Sequence, residues 1–274
     1  MQGFTVRAAA DADMPAVRHV AESFGLLTGW PAAGDFLDAE RAFGTLLIAS
    51  ADARETHGFG GTLRRGAVTH LGDLFVLRGH QSAGAGRALL SQLLAGDGPK
   101  VTFASSDPRA VSLYVQYGLR PWCPLLYLTG PAAGLPAPPV GETRPEDVAP
   151  LDARAAGGAR PGTLAWYAAI PGVTPYATDR GYAFARVTDG QIVIGPAGGE
   201  TPQDCARAVL GALAATTGGT FPHVARIAVP GVHPLVPVLI GAGWRISDMD
   251  TFMADDAALA MIDPGRYIPH PDLG

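Results

Sequence analysis

Gln81-Ser82-Ala83-Gly84-Ala85-Gly86-Arg87 is the stretch on which the fold turns, because it joins a strand-like run to a helix-like one. Before it, Leu71-Gly72-Asp73-Leu74-Phe75-Val76-Leu77 reads as extended; after it, Arg87-Ala88-Leu89-Leu90-Ser91-Gln92-Leu93-Leu94 has helical apolar spacing. A polar loop with two glycines at a helix start leaves several backbone N–H groups unpaired. The helix dipole adds partial positive charge at the same place, so the loop suits a phosphate or pyrophosphate. Side chains at positions 84 and 86 would crowd an anion approaching the backbone. The spacing is neither the three-glycine dinucleotide fingerprint nor the phosphate loop that ends in Gly-Lys-Ser/Thr. By itself the stretch is an anion cradle.

A second motif follows. Past a strand candidate, Lys100-Val101-Thr102-Phe103-Ala104, comes Asp107-Pro108-Arg109-Ala110-Val111-Ser112-Leu113-Tyr114-Val115-Gln116-Tyr117-Gly118-Leu119. Asp107 reads as a helix N-cap, Pro108 as the first helical residue and Gly118 as the helix end. Loop and helix together resemble the GCN5-related N-acetyltransferase (GNAT) superfamily, which pairs a Q/R-x-x-G-x-G/A loop with an N-x-x-A-x-x-L-Y-x-x-x-G-F helix. The loop residues here are Gln81, Gly84 and Gly86; the helix residues are Asp107, Ala110, Leu113, Tyr114, Gly118 and Leu119. Asp107 for Asn and Leu119 for Phe are the departures. The resemblance covers the first half of the chain.

Length and composition agree with it. The 274 residues suffice for two domains, each large enough for its own core. A net charge of −5, with lysine only at Lys100, argues against a general nucleic-acid binder. Cys123 and Cys205 are far apart and in no metal-like spacing, which points to free thiols in a reducing compartment. The start, Met1-Gln2-Gly3-Phe4-Thr5-Val6-Arg7, lacks a basic region followed by an apolar stretch, and no run reaches the length of a membrane span. The expectation is a soluble cytoplasmic protein.

Pro131-Ala132-Ala133-Gly134-Leu135-Pro136-Ala137-Pro138-Pro139 reads as a semi-rigid linker, and the chain seen on either side of it repeats itself. Asp13-Met14-Pro15 is echoed by Asp147-Val148-Ala149, Arg87-Ala88-Leu89-Leu90 by Arg207-Ala208-Val209-Leu210, and Gly118-Leu119-Arg120 by Gly243-Trp244-Arg245. Strand candidates are 45–49, 56–62 and 69–77 in the first half, and 181–187 and 191–194 in the second. The expected fold class is α/β with a mixed α+β sheet. It comprises two tandem GNAT-like domains, each a central, mostly antiparallel sheet flanked by helices. Residues 1–130 would form the domain with the acetyl-CoA site, 131–140 the linker and 141–274 a degenerate GNAT-like domain. The degeneracy shows in the alignment. Thr201 stands for Gln81, Asp204 for Gly84, Ala206 for Gly86 and Leu239 for Tyr114. Glu200 and Asp204 would repel a pyrophosphate, and leucine has no proton to give. The second half would pack on the first, close the substrate cleft or form a homodimer.

The resemblance implies acetyl-CoA as the cofactor. Its pantetheine would run beside Phe75-Val76-Leu77, and its pyrophosphate would sit on the amides from Ser82 through Ala83, Gly84, Ala85 and Gly86 to Arg87. Gln81, Asp107 and Arg109 belong to the same implied site. Tyr114 is the implied general acid, since a phenol of pKa ~10 stays protonated at neutral pH. For the general base, Asp73 and His70 both remain open; strand alternation puts Asp73 on the face of Phe75 and Leu77. His19, His57, His80, His223, His233 and His270 form no ligand spacing, so no metal is expected. Arg64-Arg65 reads as a solvated hairpin turn before Gly66. Trp30, Phe36, Phe43, Trp166 and Tyr167 are candidates for an apolar acceptor pocket or for core, and Cys123 for a structural thiol. The implied activity is acetyl transfer to a primary amine of a small molecule or peptide by direct attack. A catalytically silent CoA-binding regulatory or interaction module is the alternative. Neither nucleic acid nor membrane is an expected partner.

Overall fold

The computed structural model describes residues 4–31, 34–51, 55–188, 190–217 and 224–274; Met1 to Gly3 and His223 lie outside them. The first half runs β1 (Thr5–Ala8), α1 (Met14–Ser23), α2 (Phe36–Phe43), β2 (Gly44–Ser50), β3 (Thr56–Arg65), β4 (Val68–Val76), α3 (Ala85–Leu93), β5 (Lys100–Ala104), α4 (Pro108–Gln116) and β6 (Arg120–Pro131). The second half repeats that order as β7 (Gly141–Glu142), α5 (Pro145–Ala155), α6 (Pro161–Ala168), β8 (Val173–Ala177), β9 (Gly181–Thr188), β10 (Gln191–Gly199), α7 (Pro202–Thr216), β11 (Val224–Pro230), α8 (Leu235–Gly241) and β12 (Arg245–Ala254). A short α9 (Asp256–Leu259) and β13 (Tyr267–Ile268) follow.

Local chemistry explains the helix ends. The Asp107 carboxylate accepts from the Arg109 N–H at 2.9 Å at the start of α4, where Pro108 needs no partner for a missing N–H. Gly118 (φ +88°) and Gly243 (φ +87°) end α4 and α8 in the left-handed region. The repeat holds at single hydrogen bonds. Leu119 N–H donates to Tyr114 O at 3.3 Å, as Trp244 N–H does to Leu239 O at 3.1 Å.

The strands form one sheet in the order β1-β2-β3-β4-β5-β12-β6-β11-β10-β9-β8-β7, with β13 against β10. The order is palindromic about its centre, and the last strand of each half has changed sides. β12 pairs antiparallel with β5 (Thr251 to Ala104, Ala254 to Val101), and β6 pairs antiparallel with β11 (Val224 to Pro131, Pro230 to Leu125). The cores follow this exchange. Leu126 and Leu128 of β6 pack with Val209, Leu213 and Leu239, while Met253 of β12 packs with Leu89, Leu90 and Tyr114. A third cluster spans both halves through Phe36, Leu37, Leu164, Tyr167 and Phe184. The proline-rich segment also joins a core, because Ala132 is buried against the second-half cluster and Leu135 packs on it.

Arg65 corrects a sequence expectation. The turn falls at Gly66, but the Arg65 side chain is buried, not solvated. Its guanidinium donates to Ala156 O and to the Tyr267 hydroxyl, both at 3.3 Å. The second half packs over this hairpin, and no local pattern announces that.

Candidate active site

The parallel pairing of β4 with β5 covers only Thr69 to Leu71 (partners Lys100 to Thr102). It is pinned at its end by the Thr102 hydroxyl donating to Leu71 O at 2.8 Å. Beyond Leu71 the strands part, and β4 faces a cleft of about 660 Å³ with Leu74 and Val76. Leu74 and Val76, the cradle residues Gln81 to Gly84, Gly86 and Arg87, and Asp107, Arg109 and Leu113 line it.

The cradle has the backbone shape its sequence implies. Ser82 (φ 63°) and Gly84 (φ +100°) are both left-handed, which folds successive N–H groups toward one side. The first intrahelical bond of α3 is Ala88 N–H to Gly84 O at 3.0 Å, so the preceding amides remain available. A side chain at Gly84 would meet open space and a strained φ. Gln81 braces the loop by donating to Val76 O at 3.0 Å. Asp107 and Arg109 form an exposed ion pair at 2.7 Å on the far rim, and Arg87 is exposed at the near one.

Tyr114 is buried on α4 beside the cleft-lining Leu113. Burial, with Asp73, Asp250 and Asp107 in electrostatic range, pushes its phenol up, so it keeps its proton through the neutral range. Asp73 reaches its position through an irregularity in the strand. The register shifts between Gly61 (opposite Asp73) and Thr62 (opposite Leu71), leaving Gly72 as an extra residue. Leu71, Leu74 and Val76 therefore share the α3 side, while Phe75 and Leu77 pack among α1 and α2 residues. Strict alternation would have left Asp73 on the same side as Leu71. The bulge turns it toward α2.

There it meets Glu40, which sequence reasoning missed. Glu40 is fully buried, and neither of its oxygens receives an N–H or O–H from a described residue. Its polar neighbour is the Asp73 carboxyl. Burial pushes Glu40 well above the usual carboxylate range and Asp73 up to about 7. The available signal was Glu40 in the apolar stripe of α2, four residues after Phe36 and three after Leu37. Asp272, half-buried near the end of the chain, joins these acids. It accepts from Trp30 Nε1 at 2.8 Å and is pushed up to about 6 by burial.

The remaining candidates fall elsewhere. His70 is buried beneath the site, its Nδ1 2.6 Å from an Arg65 nitrogen, and burial beside Arg65 and Arg160 pushes it well down. Trp30 and Trp166 are half-buried with ring centroids 6.1 Å apart; Phe36 and Tyr167 are core, and Phe43 packs near Gly162. Cys123 and Cys205 are buried free thiols raised by burial. Among the described residues no group of His, Cys, Asp and Glu could hold a metal, and no helix is long and apolar enough to cross a membrane.

Residues 37–124 match the family model described as an acetyltransferase (GNAT) domain. That stretch of the chain is thus similar to a GNAT domain. The two halves of the chain together have the tandem GNAT fold. A putative acetyltransferase from Pyrococcus horikoshii is 19% identical, with TM-score 0.73 over 100% of this chain and 97% of that one. A tandem GNAT protein from the clavulanic acid biosynthesis pathway is 14% identical, with TM-score 0.59 over 93% and 99%. A GCN5-related N-acetyltransferase from Kribbella flavida is 16% identical, with TM-score 0.58 over 92% and 70%. No curated protein sequence matches. The matched stretch contains the cleft-lining cradle together with the buried Glu40, Asp73 and Tyr114.

Proposed function

We propose that the first-half cleft binds acetyl-CoA and that the protein moves the acetyl group to a primary amine of a small molecule or peptide by direct attack. One observation carries this reading: the left-handed cradle opens onto an unpaired stretch of β4, with a proton-holding tyrosine and a buried carboxyl pair beside it. The cradle fits an anionic cofactor, since a Cβ at Gly84 would meet no atom within 4 Å and the amides up to Arg87 precede the first intrahelical bond.

Acetyl-CoA, when bound, supplies an activated thioester. The amides of Ser82 to Arg87 would hold its phosphates, and Phe75, Val76 and Leu77 would offer it a backbone edge. Gln81, Asp107 and Arg109 frame the entrance. Asp73 takes a proton from the incoming ammonium, because only a neutral amine attacks. Tyr114 delivers a proton to the departing group. The net charge of −5 favours a cationic acceptor during encounter.

In this reading residues 1–130 carry the chemistry, 131–140 connect, and 141–274 shape and stabilise the cleft. The buried free thiols fit the cytoplasm. Calorimetric titration with acetyl-CoA tests the proposal. One site per chain, lost in Gly84→Asp, supports it; two sites would restore a cofactor site to the second half. An absence of binding would overturn the assignment.

A further inference from the structure

Glu40 is buried in a socket that two glycines create. A Cβ on Gly61 would lie 1.7 Å from Glu40 Oε2, and one on Gly72 would lie 2.6 Å from Oε1. Any larger residue in either strand would evict the carboxyl, which makes this a close approach of the kind strand glycines permit. The helix that carries Glu40 is fixed at its start. The Asp35 carboxylate accepts from Leu37 N–H at 3.1 Å, and Arg18 bridges Asp35 and Asp38 at 2.7 and 2.8 Å. Gly61 is the register partner of Asp73 and Gly72 precedes it, so the socket sets the Glu40 carboxyl beside Asp73, and among the described residues no donor reaches its oxygens.

Two carboxylates are acceptors only, so a hydrogen bond between them requires a proton. In a site that excludes water, like charges at contact cannot both ionise at ordinary cost. Other groups sharpen this. Asp272 and Asp35 add negative potential at Glu40. The Asp35 charge is met by Arg18, and the Asp250 carboxylate accepts from the Tyr127 hydroxyl at 2.7 Å. Tyr114, on α4, lies within electrostatic range of Asp73 as a neutral phenol. Arg186 and His270, from the second half, act near Asp272 and Trp30.

We infer that Glu40 is the positioning residue for Asp73: wedged between Gly61 and Gly72, it shares one proton with Asp73 and thereby sets the pH above which Asp73 accepts a proton from the acceptor. In that step an N–H bond of the ammonium breaks, its electron pair stays on nitrogen, and an O–H bond forms on Asp73. The inference rests on the acetyl-transfer reading for this step, but the shared proton does not.

The test is Glu40→Gln, read in two ways. In kcat/KM against pH, the acidic limb of the wild type lies near neutrality. The amide of the variant donates to Asp73 without sharing a proton, so its limb moves down by at least one pH unit, retaining roughly tenfold more relative activity on the acid side. An unmoved limb overturns the inference. The second reading needs no turnover. A carboxyl raised by folding stabilises the protein below its unfolded pKa and loses that contribution as pH rises through the folded one. The stability of wild type relative to Glu40→Gln, from urea unfolding, therefore falls between pH 5 and 8; a constant difference overturns the pair. If the variant does not fold, a carboxyl-carbon NMR titration of the wild type, with Asp73→Asn for assignment, decides. Two coupled steps, the upper above pH 6.5, support the pair, and independent titrations near pH 4 overturn it. Coupled titration without transfer to any amine would keep the pair and sink the acetyl-transfer reading.

Discussion

The opening beside β4 and its counterpart beside β10 are built from the same elements and hold opposite contents. Each is a strand paired in parallel over a short stretch, to Leu71 in β4 and to Ile194 in β10, followed by a shift of register. The first half leaves the next stretch of edge bare. The second covers it with β13, which pairs Ala197 with Ile268 and Gly198 with Tyr267. Helix starts differ as sharply. At α3 the cap is Gly84 with open space around it. At α7 the Thr201 hydroxyl takes the Asp204 N–H at 3.2 Å, and Glu200 and Asp204 are held by Arg180 at 3.0 and 3.6 Å. After the register shift stands Asp73 in one strand and Ala197 in the other. Tyr114 is answered by Leu239 with the same backbone bonds. A fold is repeated by repeating its packing; a site survives only where a strand edge and a helix start remain unpaired.

That contrast can be broken in four places. The largest effect is expected from Tyr114→Phe, which makes the first half resemble the second while keeping the ring packed. Turnover should fall by about 10²–10⁴-fold with acetyl-CoA affinity unchanged in calorimetry, and normal turnover would reduce Tyr114 to packing. Tyr267→Ala attacks the strand that fills the second opening. Its hydroxyl accepts from Arg160 at 3.0 Å and from Arg65 at 3.3 Å, and its ring is fully buried. Loss of a buried aromatic costs about 3–5 kcal/mol, measurable by urea unfolding; a cost below about 1 kcal/mol would mean that β13 merely rests on the sheet.

Gly84→Asp places the acid of the second half in the cradle of the first. Each contact with a like charge costs about 1–4 kcal/mol depending on screening, so acetyl-CoA binding should weaken roughly 100-fold at 1.4 kcal/mol per tenfold. Unchanged affinity would move the phosphates elsewhere. The reverse change, Asp204→Gly, is expected to do least. β13 and Glu200 remain, so calorimetry should still count one site per chain. A second site would show that a single acid had closed the second half.

Much of the first half was legible. The glycine loop, the Asp107 cap and the strands around Asp73 are local signals, and each formed where periodicity and capping put it. The face of Asp73 came out as alternation with Phe75 and Leu77 implies, because those residues all follow the bulge. Arg65 and Glu40 were not legible in the same way. Their surroundings are supplied by Tyr267 and Ala156 for one, and by Gly61, Gly72 and Asp73 for the other. A charged residue in an apolar stripe signals burial but does not name its partner.

The sequence by itself determined the strands leading to the cradle and the helices α3 and α4, where α3 presents free amides, and that the second half lacks a tyrosine and a glycine cradle in the matching places. Those properties depend on neighbours a few residues apart, where hydrogen-bond geometry and side-chain period leave few choices. The tertiary structure decided the exchange of β6 and β12, the filling of the second opening by β13, and the pairing of Glu40 with Asp73. An alternating strand carries the same pattern whichever neighbour it joins, and the choice among distant neighbours is made by how all the faces pack together.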